Sequence, residues 1–588
     1  MSFDAWLTLA VVVAMLAVLW RDVVPPAAAV LAATVALLVT GVIDEQQAFA
    51  GFSNSAPLTV AALYVLARAA EKTGLMGPLV GRLLGARDAT GRVALARLLV
   101  PSASISAFIN NTPLVAMLIP EITSWCEKRN ISPSRFLLPL SYAAILGGTI
   151  TVIGTSTNLV VSGLLQESGE APFSLFEITP VGGVVAVVGL ALLIAIAPSL
   201  IPERRGTQQT LTEEMREFVV ELEVDPGGRL ERVSVEDAGL RHLEGVYLVE
   251  IERDGQLIAP VPPTTELEGG DRLTFVGQAD LVVDLQRTRG LSSTEDKHLL
   301  AVESPRHTFF EVVIGANSPL AGSTLIESDF RARYQAAVVA IHRAGERVKG
   351  KLGEVRLQPG DTLILLASPD FRAQWREGRD FLMVARMGGP PPSAGRKAPL
   401  VGAVAVAVIV LAAFEVLSIL ELALLAAAAV IATRVLTVGE ARNAINLDVI
   451  ILIAAAFGVG AAIETTGLAT TIADGLVDAF EPLGTYGIIL GVVVATTLLT
   501  EVITNNAAAV VIFPIALAVA ASAGIDPRAM AIAIAVTASS SFLTPLGYQT
   551  NTMVYGPGGY RFTDYLRAGV PLNVTVVVVI TTMTWALT

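Results

Sequence analysis

Charged side chains make up only 16% of these 588 residues, while hydrophobic ones make up 53%. Soluble domains carry about 25% charged residues, so the shortage excludes an ordinary water-soluble protein. Cysteine is almost missing. Cys126 is the only one, which rules out an internal disulfide and leaves no Cys/His set for a metal; it reads as a small hydrophobe. Histidine is absent from both apolar stretches. His242, His298, His307 and His342 all fall in the polar middle, so none can relay protons inside a membrane. The net charge is −13 and no Lys/Arg stripe with interleaved aromatics occurs, which excludes nucleic acid as a partner. A Gly-x-Ser-x-Gly elbow, a P-loop and metal-ligand spacings are missing too, so the chain reads as no enzyme and needs no prosthetic group. No basic residue precedes the first apolar run, which predicts a retained first helix rather than a cleaved signal peptide.

What is present is long apolar sequence, in two blocks. Residues 1–201 form membrane half 1 and residues 398–588 membrane half 2. In half 1 the pattern predicts spans near 4–20, 25–43 and 54–74, then an interfacial helix at 76–99 whose Arg82, Arg87, Arg92 and Arg97 snorkel to headgroups. A re-entrant hairpin at about 100–124, a broken span at 134–166 and a last span at 175–200 follow. Half 2 repeats the plan: spans near 398–414, 417–437 and 446–466, an amphipathic piece at 470–483, a hairpin at about 490–522, a broken span at 528–556 and a span at 567–587. Five crossings per half is an odd number, so the copies point in opposite directions. The positive-inside rule agrees. It puts the arginine-bearing helix, Arg204-Arg205, Arg434, Arg442, Arg561 and Arg567 in the cytoplasm and the acidic piece with Asp474, Asp478 and Glu481 outside.

Between the halves lies a polar insert with its own repeat. Val246–Arg253 followed by Leu267-Glu268-Gly269-Gly270-Asp271 recurs as Ala336–Arg343 followed by Leu357-Gln358-Pro359-Gly360-Asp361. Alternating strands with Gly-Asp turns predict two α+β modules, at 207–290 and 300–387, on the cytosolic side. They lack Gly-x-Gly-x-x-Gly and so should not hold a dinucleotide in a Rossmann turn.

The apolar halves are interrupted twice each, at matching places. Half 1 has Asn110-Asn111-Thr112 in its hairpin and Gly154-Thr155-Ser156-Thr157-Asn158 in its broken span. Half 2 has Thr504-Asn505-Asn506 and Gly547-Tyr548-Gln549-Thr550-Asn551. A bilayer tolerates unwound backbone only where it lines a cavity or is buried in protein, and paired interruptions point to a transporter's binding site. A helix N-terminus there offers free N–H groups to an anion, and a C-terminus offers carbonyls to Na⁺. Asn111 and Asn505 carry both an acceptor and a donor and can serve both ions. Ser106 and Thr500 lie one turn before the tips, within reach of them. Gly154 and Gly547 let backbone approach closely. Glu501 is an acid at depth, read either as functional or as a pin for its hairpin. Tyr548 and Gln549 are placed to reach solute.

These residues resemble the divalent anion:sodium symporter family, whose signature is a Ser-Asn-Thr triplet at each hairpin tip. The resemblance covers both membrane halves. It implies an elevator-type ion-transporter fold of two inverted repeats, a homodimer, and sodium co-transported with the anion. It also implies a first sodium site of Ser106, Asn110, Asn111 and Gly154 and a second of Thr500, Thr504, Asn505 and Gly547. Substrate would touch Asn110, Asn111, Thr112 and Thr155 from one side, and Thr504, Asn505, Asn506 and Tyr548 from the other. The stretch 545–562, Pro-Leu-Gly-Tyr-Gln-Thr-Asn with Tyr-Gly-Pro-Gly-Gly-Tyr-Arg-Phe after it, resembles the family's sulfate branch. The paired modules resemble TrkA-C (RCK C-terminal) regulatory domains, which by analogy take a small ligand such as a cyclic dinucleotide. The implied protein is a sodium-coupled sulfate importer of the inner (plasma) membrane with the insert in the cytosol. The rivals are a sodium-coupled succinate or citrate symporter, a ligand-gated channel or antiporter controlled by the TrkA-C-like modules, and a membrane sensor that binds without transporting.

Overall fold

The computed structural model describes residues 1–21, 24–75, 91–127, 129, 131–204, 219–240, 246–254, 256–258, 261–277, 291–293, 308–315, 318–343, 346–348, 352–368, 370–375, 380–386, 395–545 and 547–588. Half 1 contains α1 (Phe3–Trp20), α2 (Pro26–Val39), α3 (Glu45–Ser53), α4 (Ser55–Lys72), α5 (Arg92–Ser106), α6 (Asn111–Glu127), α7 (Ser134–Gly148), α8 (Ser156–Glu167) and α9 (Thr179–Leu200). Half 2 contains α10 (Ala398–Ala413), α11 (Ile419–Ala432), α12 (Val438–Ala444), α13 (Leu447–Thr465), α14 (Leu468–Phe480), α15 (Gly484–Val502), α16 (Asn505–Ala523), α17 (Pro527–Ala538), α18 (Gln549–Tyr555) and α19 (Phe562–Leu587). Apart from α14, half 2 repeats the described helices of half 1 one for one; residues 76–90, with Arg82 and Arg87, lie outside the described residues.

Local chemistry repeats with the helices. A capping box opens α3 at Asp44 with Gln47, and another opens α12 at Thr437 with Glu440. Asparagine side chains, Asn54 and Asn446, cap α4 and α13. The second arm of each hairpin carries an internal proline, Pro120 in α6 and Pro514 in α16, at the same distance from its tip. Among the described residues, seven helical runs are long and apolar enough to cross a membrane by length and composition.

Packing exchanges the halves. α13 lies against α2 and α3, and α4 lies against α11 and α12; α9 packs on α19, α6 on α18 and α16 on α8. Each half thus completes the other's core, the pattern of two copies about a pseudo-two-fold axis. Buried apolar residues of α2, α5–α9, α13 and α16–α19 form one continuous cluster.

One expectation needs correction. The stretch 92–99, read as the end of an interfacial helix, is the start of the first hairpin's leading arm, α5. The reason is a stripe of buried residues, Ala94, Leu95, Leu98, Leu99, Ser102, Ala103 and Ser106, that runs unbroken to the tip. Arg92 and Arg97 sit on its exposed side. The second hairpin likewise begins earlier than expected, at Gly484.

The insert folds as two five-stranded antiparallel sheets. Strands β1 (Val219–Val224), β2 (Val246–Arg253), β3 (Gln256–Ile258), β4 (Arg272–Gly277) and β5 (Leu291–Ser293) take the order β3-β2-β4-β1-β5. Strands β6 (Thr308–Val313), β7 (Ala336–Arg343), β8 (Glu346–Arg347), β9 (Thr362–Ala367) and β10 (Met383–Arg386) take the order β10-β6-β9-β7-β8. The Gly-Asp turns are tied alike: Asp271 holds Arg253 at 2.8 Å, and Asp361 holds Arg343 at 2.8 Å and 2.7 Å. Of the four histidines only His342 is described; it is buried on β7.

Candidate functional site

Each broken span is held open by its own asparagine. Nδ2 of Asn158 donates to the carbonyls of Gly148 (3.1 Å) and Thr151 (3.0 Å); Nδ2 of Asn551 donates to those of Ser541 (3.2 Å) and Thr544 (3.1 Å). In both halves the accepting carbonyls lie ten and seven residues earlier. These groups would otherwise be orphaned where α7 and α17 end. The asparagine oxygens bind across the halves, with Ser539 Oγ donating to Asn158 Oδ1 at 3.1 Å and Ser141 Oγ to Asn551 Oδ1 at 2.7 Å. Neither asparagine was singled out as a site residue, although both end the motifs that mark the breaks. Asn551→Ala strands the buried carbonyl of Ser541, worth about 1–3 kcal/mol, and the part-buried one of Thr544. The expected result is a melting temperature in detergent several degrees below that of the parent.

The hairpin tips are buttressed by a second matched pair. Ser106 Oγ lies 2.8 Å from the carbonyl of Ala144, and Thr500 Oγ1 donates to that of Ala538 at 2.9 Å, each 38 residues further along the chain. Ser106 Oγ also lies 2.6 Å from Asn111 Oδ1. Three oxygens, from Ser106, Asn111 and Ala144, therefore share one proton in a fully buried place. Gly148 is pressed against the Asn111 side chain, since a Cβ there would stand 2.6 Å from Asn111 Oδ1. Gly154 lies in turn against Gly148, where a Cβ would stand 2.5 Å from its carbonyl oxygen.

The two halves meet at the tips. Asn111 Nδ2 donates to the Tyr548 hydroxyl at 2.7 Å, and that hydroxyl is 3.2 Å from Thr155 Oγ1. Asn506 Oδ1 accepts from Thr157 Oγ1 at 2.9 Å and from Ser156 Oγ at 3.3 Å, while Thr112 Oγ1 donates to Gln549 Oε1 at 3.1 Å. Each tip's last residue thus binds the break of the opposite half. The N-terminal ends of α6, α8 and α16 and the start of the short α18 converge on this ring. The helices α8 and α16 receive no side-chain cap from their own N-cap residues, Thr155 and Thr504.

Asn111, Thr112, Thr155, Asn506 and Tyr548 are therefore brought together, with Ser106 and Gly154 behind them. Asn110 is half-buried, its Oδ1 3.4 Å from the Thr112 amide. Asn505 is buried, and among the described residues its side chain makes no hydrogen bond. Thr504 is exposed at the N-cap of α16 and stays outside the ring. Gly547 fills a notch where a Cβ would stand 2.2 Å from Ser541 Oγ and 3.0 Å from both Glu501 Oε2 and Thr544 Oγ1. Glu501 takes the pinning arrangement: its Oε1 accepts from the amides of Phe542 (2.7 Å) and Leu543 (2.9 Å). Cys126 is buried in the apolar cluster. Groups of His, Cys, Asp and Glu able to hold a metal do not occur among the described residues.

The symmetry of the tips is not matched by the space around them. A largely apolar cavity of about 470 Å³ separates the first tip from α4 and α10, lined among others by Tyr64, Phe108, Asn110, Ser156 and Ala405. At the second tip, α13 packs closely along α16, and buried Phe457 of α13 sits where a Cβ on Gly51 or Gly163 would touch it.

A family profile described as citrate transporter (CitMHS) matches residues 13–537 and 486–588. The chain is 36% identical to a Chlamydomonas reinhardtii protein provisionally named a sulfur deprivation response regulator, over 94% of this chain and 96% of that protein. It is also 36% identical to the uncharacterized transporter sll0640 of Synechocystis, over 97% of this chain and 94% of the relative. Sodium/sulfate cotransporter 1 of C. reinhardtii is 25% identical over 92% of this chain and 84% of that protein.

Proposed function

The chain belongs to the citrate transporter family, a family of multi-pass membrane transporters, and from that premise we propose that it is a sodium-coupled carrier importing a divalent oxyanion, sulfate. The observation that carries this reading is the polar ring between the halves, at which helix N-termini meet and where, among the described residues, no lysine or arginine takes part in the hydrogen bonds. An anion there is held by dipoles and neutral donors. Each helix end is worth about 0.3–1 kcal/mol at an exposed site and up to ~2 kcal/mol when partly buried. Such a site gains much from a cation bound beside it. The gain is mutual, so sodium raises anion affinity and the anion raises sodium affinity, and a coupling of about 1–3 kcal/mol is typical.

Sodium as co-substrate fits the oxygens crowded behind the first tip. Ser106, Asn110, Asn111 and Gly154 would hold one ion, and Thr500, Thr504, Asn505 and Gly547 the other. Thr504 would have to turn inward from its exposed position. The anion would replace the cross-half hydrogen bonds, touching Asn110, Asn111, Thr112 and Thr155 on one side and Thr504, Asn505, Asn506 and Tyr548 on the other. The halves then alternate access by an elevator movement of the hairpin-bearing part, in a homodimer of the plasma membrane with the insert in the cytosol. The relatives named as sodium/sulfate cotransporters support sulfate over citrate.

The test is uptake of labelled sulfate into proteoliposomes. Accumulation driven by an imposed inward sodium gradient, absent with potassium, is the expected result. Strong competition by succinate or citrate would shift the substrate to a carboxylate. Binding of sulfate with zero flux would leave a sensor, the reading that the response-regulator relative favours.

A further inference from the structure

The two insert modules share one fold but differ on one face of the sheet. Register makes the comparison row by row. In the first module, Glu223, Arg272 and Glu252 lie side by side across β1, β4 and β2, and Glu221, Thr274 and Glu250 form the next row. In the second module the same rows read Val313, Thr362 and His342, then Glu311, Ile364 and Ala340. Arg272 and Glu252 are exposed, whereas Val313, Thr362 and His342 are all buried. Three ionic residues in a row suit water; replacing them by Val, Thr and His suits a covered face.

The cover is the membrane part. Val313 and Leu382 join its apolar cluster, and β10 packs on α6. The Gly-Asp turn of the second module presses on the end of α18. A Cβ on Gly556 would stand 1.9 Å from Thr362 Oγ1, and a Cβ on Gly360 would stand 3.5 Å from the Tyr555 ring. The helix α18 has seven residues, so its gripped end lies only about 10 Å from Tyr548 and Gln549 at the other. α6, under β10, begins at Asn111. Both helices that the module touches therefore start in the polar ring.

We infer that the second module is a clamp on the solute site. Docked, it holds α18 and α6 so that Tyr548, Gln549, Asn111 and Thr112 meet. Released, it lets α18 loosen and lowers affinity for the anion. A ligand or partner of the insert would then tune transport by shifting this docking. The inference rests on the reading of the ring as the anion site.

The test transplants the water-facing row of the first module onto the second, as Val313→Glu/Thr362→Arg/His342→Glu. Two measurements follow, on full-length protein. Hydrogen–deuterium exchange over 548–556 should rise at least tenfold, whatever solute is carried. The KM for sulfate should rise at least tenfold while the maximal rate changes less than threefold. A cross-link between Gly360→Cys and Tyr555→Cys, in a Cys126→Ala background, should restore both values by tethering the module. Unchanged exchange in the triple variant overturns the clamp, as does a raised KM that the tether fails to restore. If the parent protein moves no sulfate, the transport reading falls, and the exchange measurement still decides the clamp.

Discussion

Asn505→Ala is expected to abolish most sodium-driven uptake without moving the melting temperature. Its buried side chain makes no hydrogen bond among the described residues, so its removal costs the fold little. On the proposed mechanism its amide and carbonyl act only when ions arrive. A hydrogen bond to a charged group is worth about 1.5–3 kcal/mol, so losing one to each ion predicts a fall in kcat/KM of roughly 100-fold or more. Asn111→Ala is expected to lose as much transport and to lose stability as well, because it parts from Ser106 and from Tyr548 across the halves. Initial rates in proteoliposomes and melting curves of the same preparations check both. Normal uptake by Asn505→Ala would remove the second tip from the site.

The glycines of the breaks give the second large effect. Gly154→Ala drives a methyl group into the backbone of Gly148, with 2.5 Å to its carbonyl oxygen and 2.9 Å to its Cα. Backbone cannot turn aside as a side chain can, and overpacking of this kind costs about 1–3 kcal/mol or more. Uptake should fall below detection and the melting temperature should drop. Gly547→Ala meets mainly a side-chain oxygen, Ser541 Oγ, at 2.2 Å. The double variant Gly547→Ala/Ser541→Ala should therefore regain a measurable part of the lost uptake, whereas Gly154→Ala has no such partner to remove. Equal tolerance of both alanines would show that close backbone approach is not required at either break.

The tips and breaks were legible because they interrupt apolar sequence, and the repetition of each in the other half separates them from incidental polar residues. The two sheets of the insert were legible from strand alternation and Gly-Asp turns. Other features were not. Asn158 and Asn551 act on carbonyls ten and seven residues back through unwound chain, a spacing that belongs to no regular element. Glu501 could be a ligand or a pin until the amides of Phe542 and Leu543 were seen to converge on it. The stretch 92–99 was misread because its arginines were weighed more heavily than the buried stripe that continues beyond them. The matched prolines, Pro120 and Pro514, were available in the sequence and would have strengthened the alignment of the hairpins.

Amino-acid order alone determined that the chain is apolar in two like blocks, where each block is broken, and which polar groups stand at the breaks, because hydropathy and helix signals act over one or two turns. Only the tertiary structure decided which tip faces which break, that Thr504 points away while Asn506 reaches the opposite half, and that the second insert module packs against the membrane part. Those choices depend on contacts between residues hundreds of positions apart, where packing rather than local propensity sets the energy.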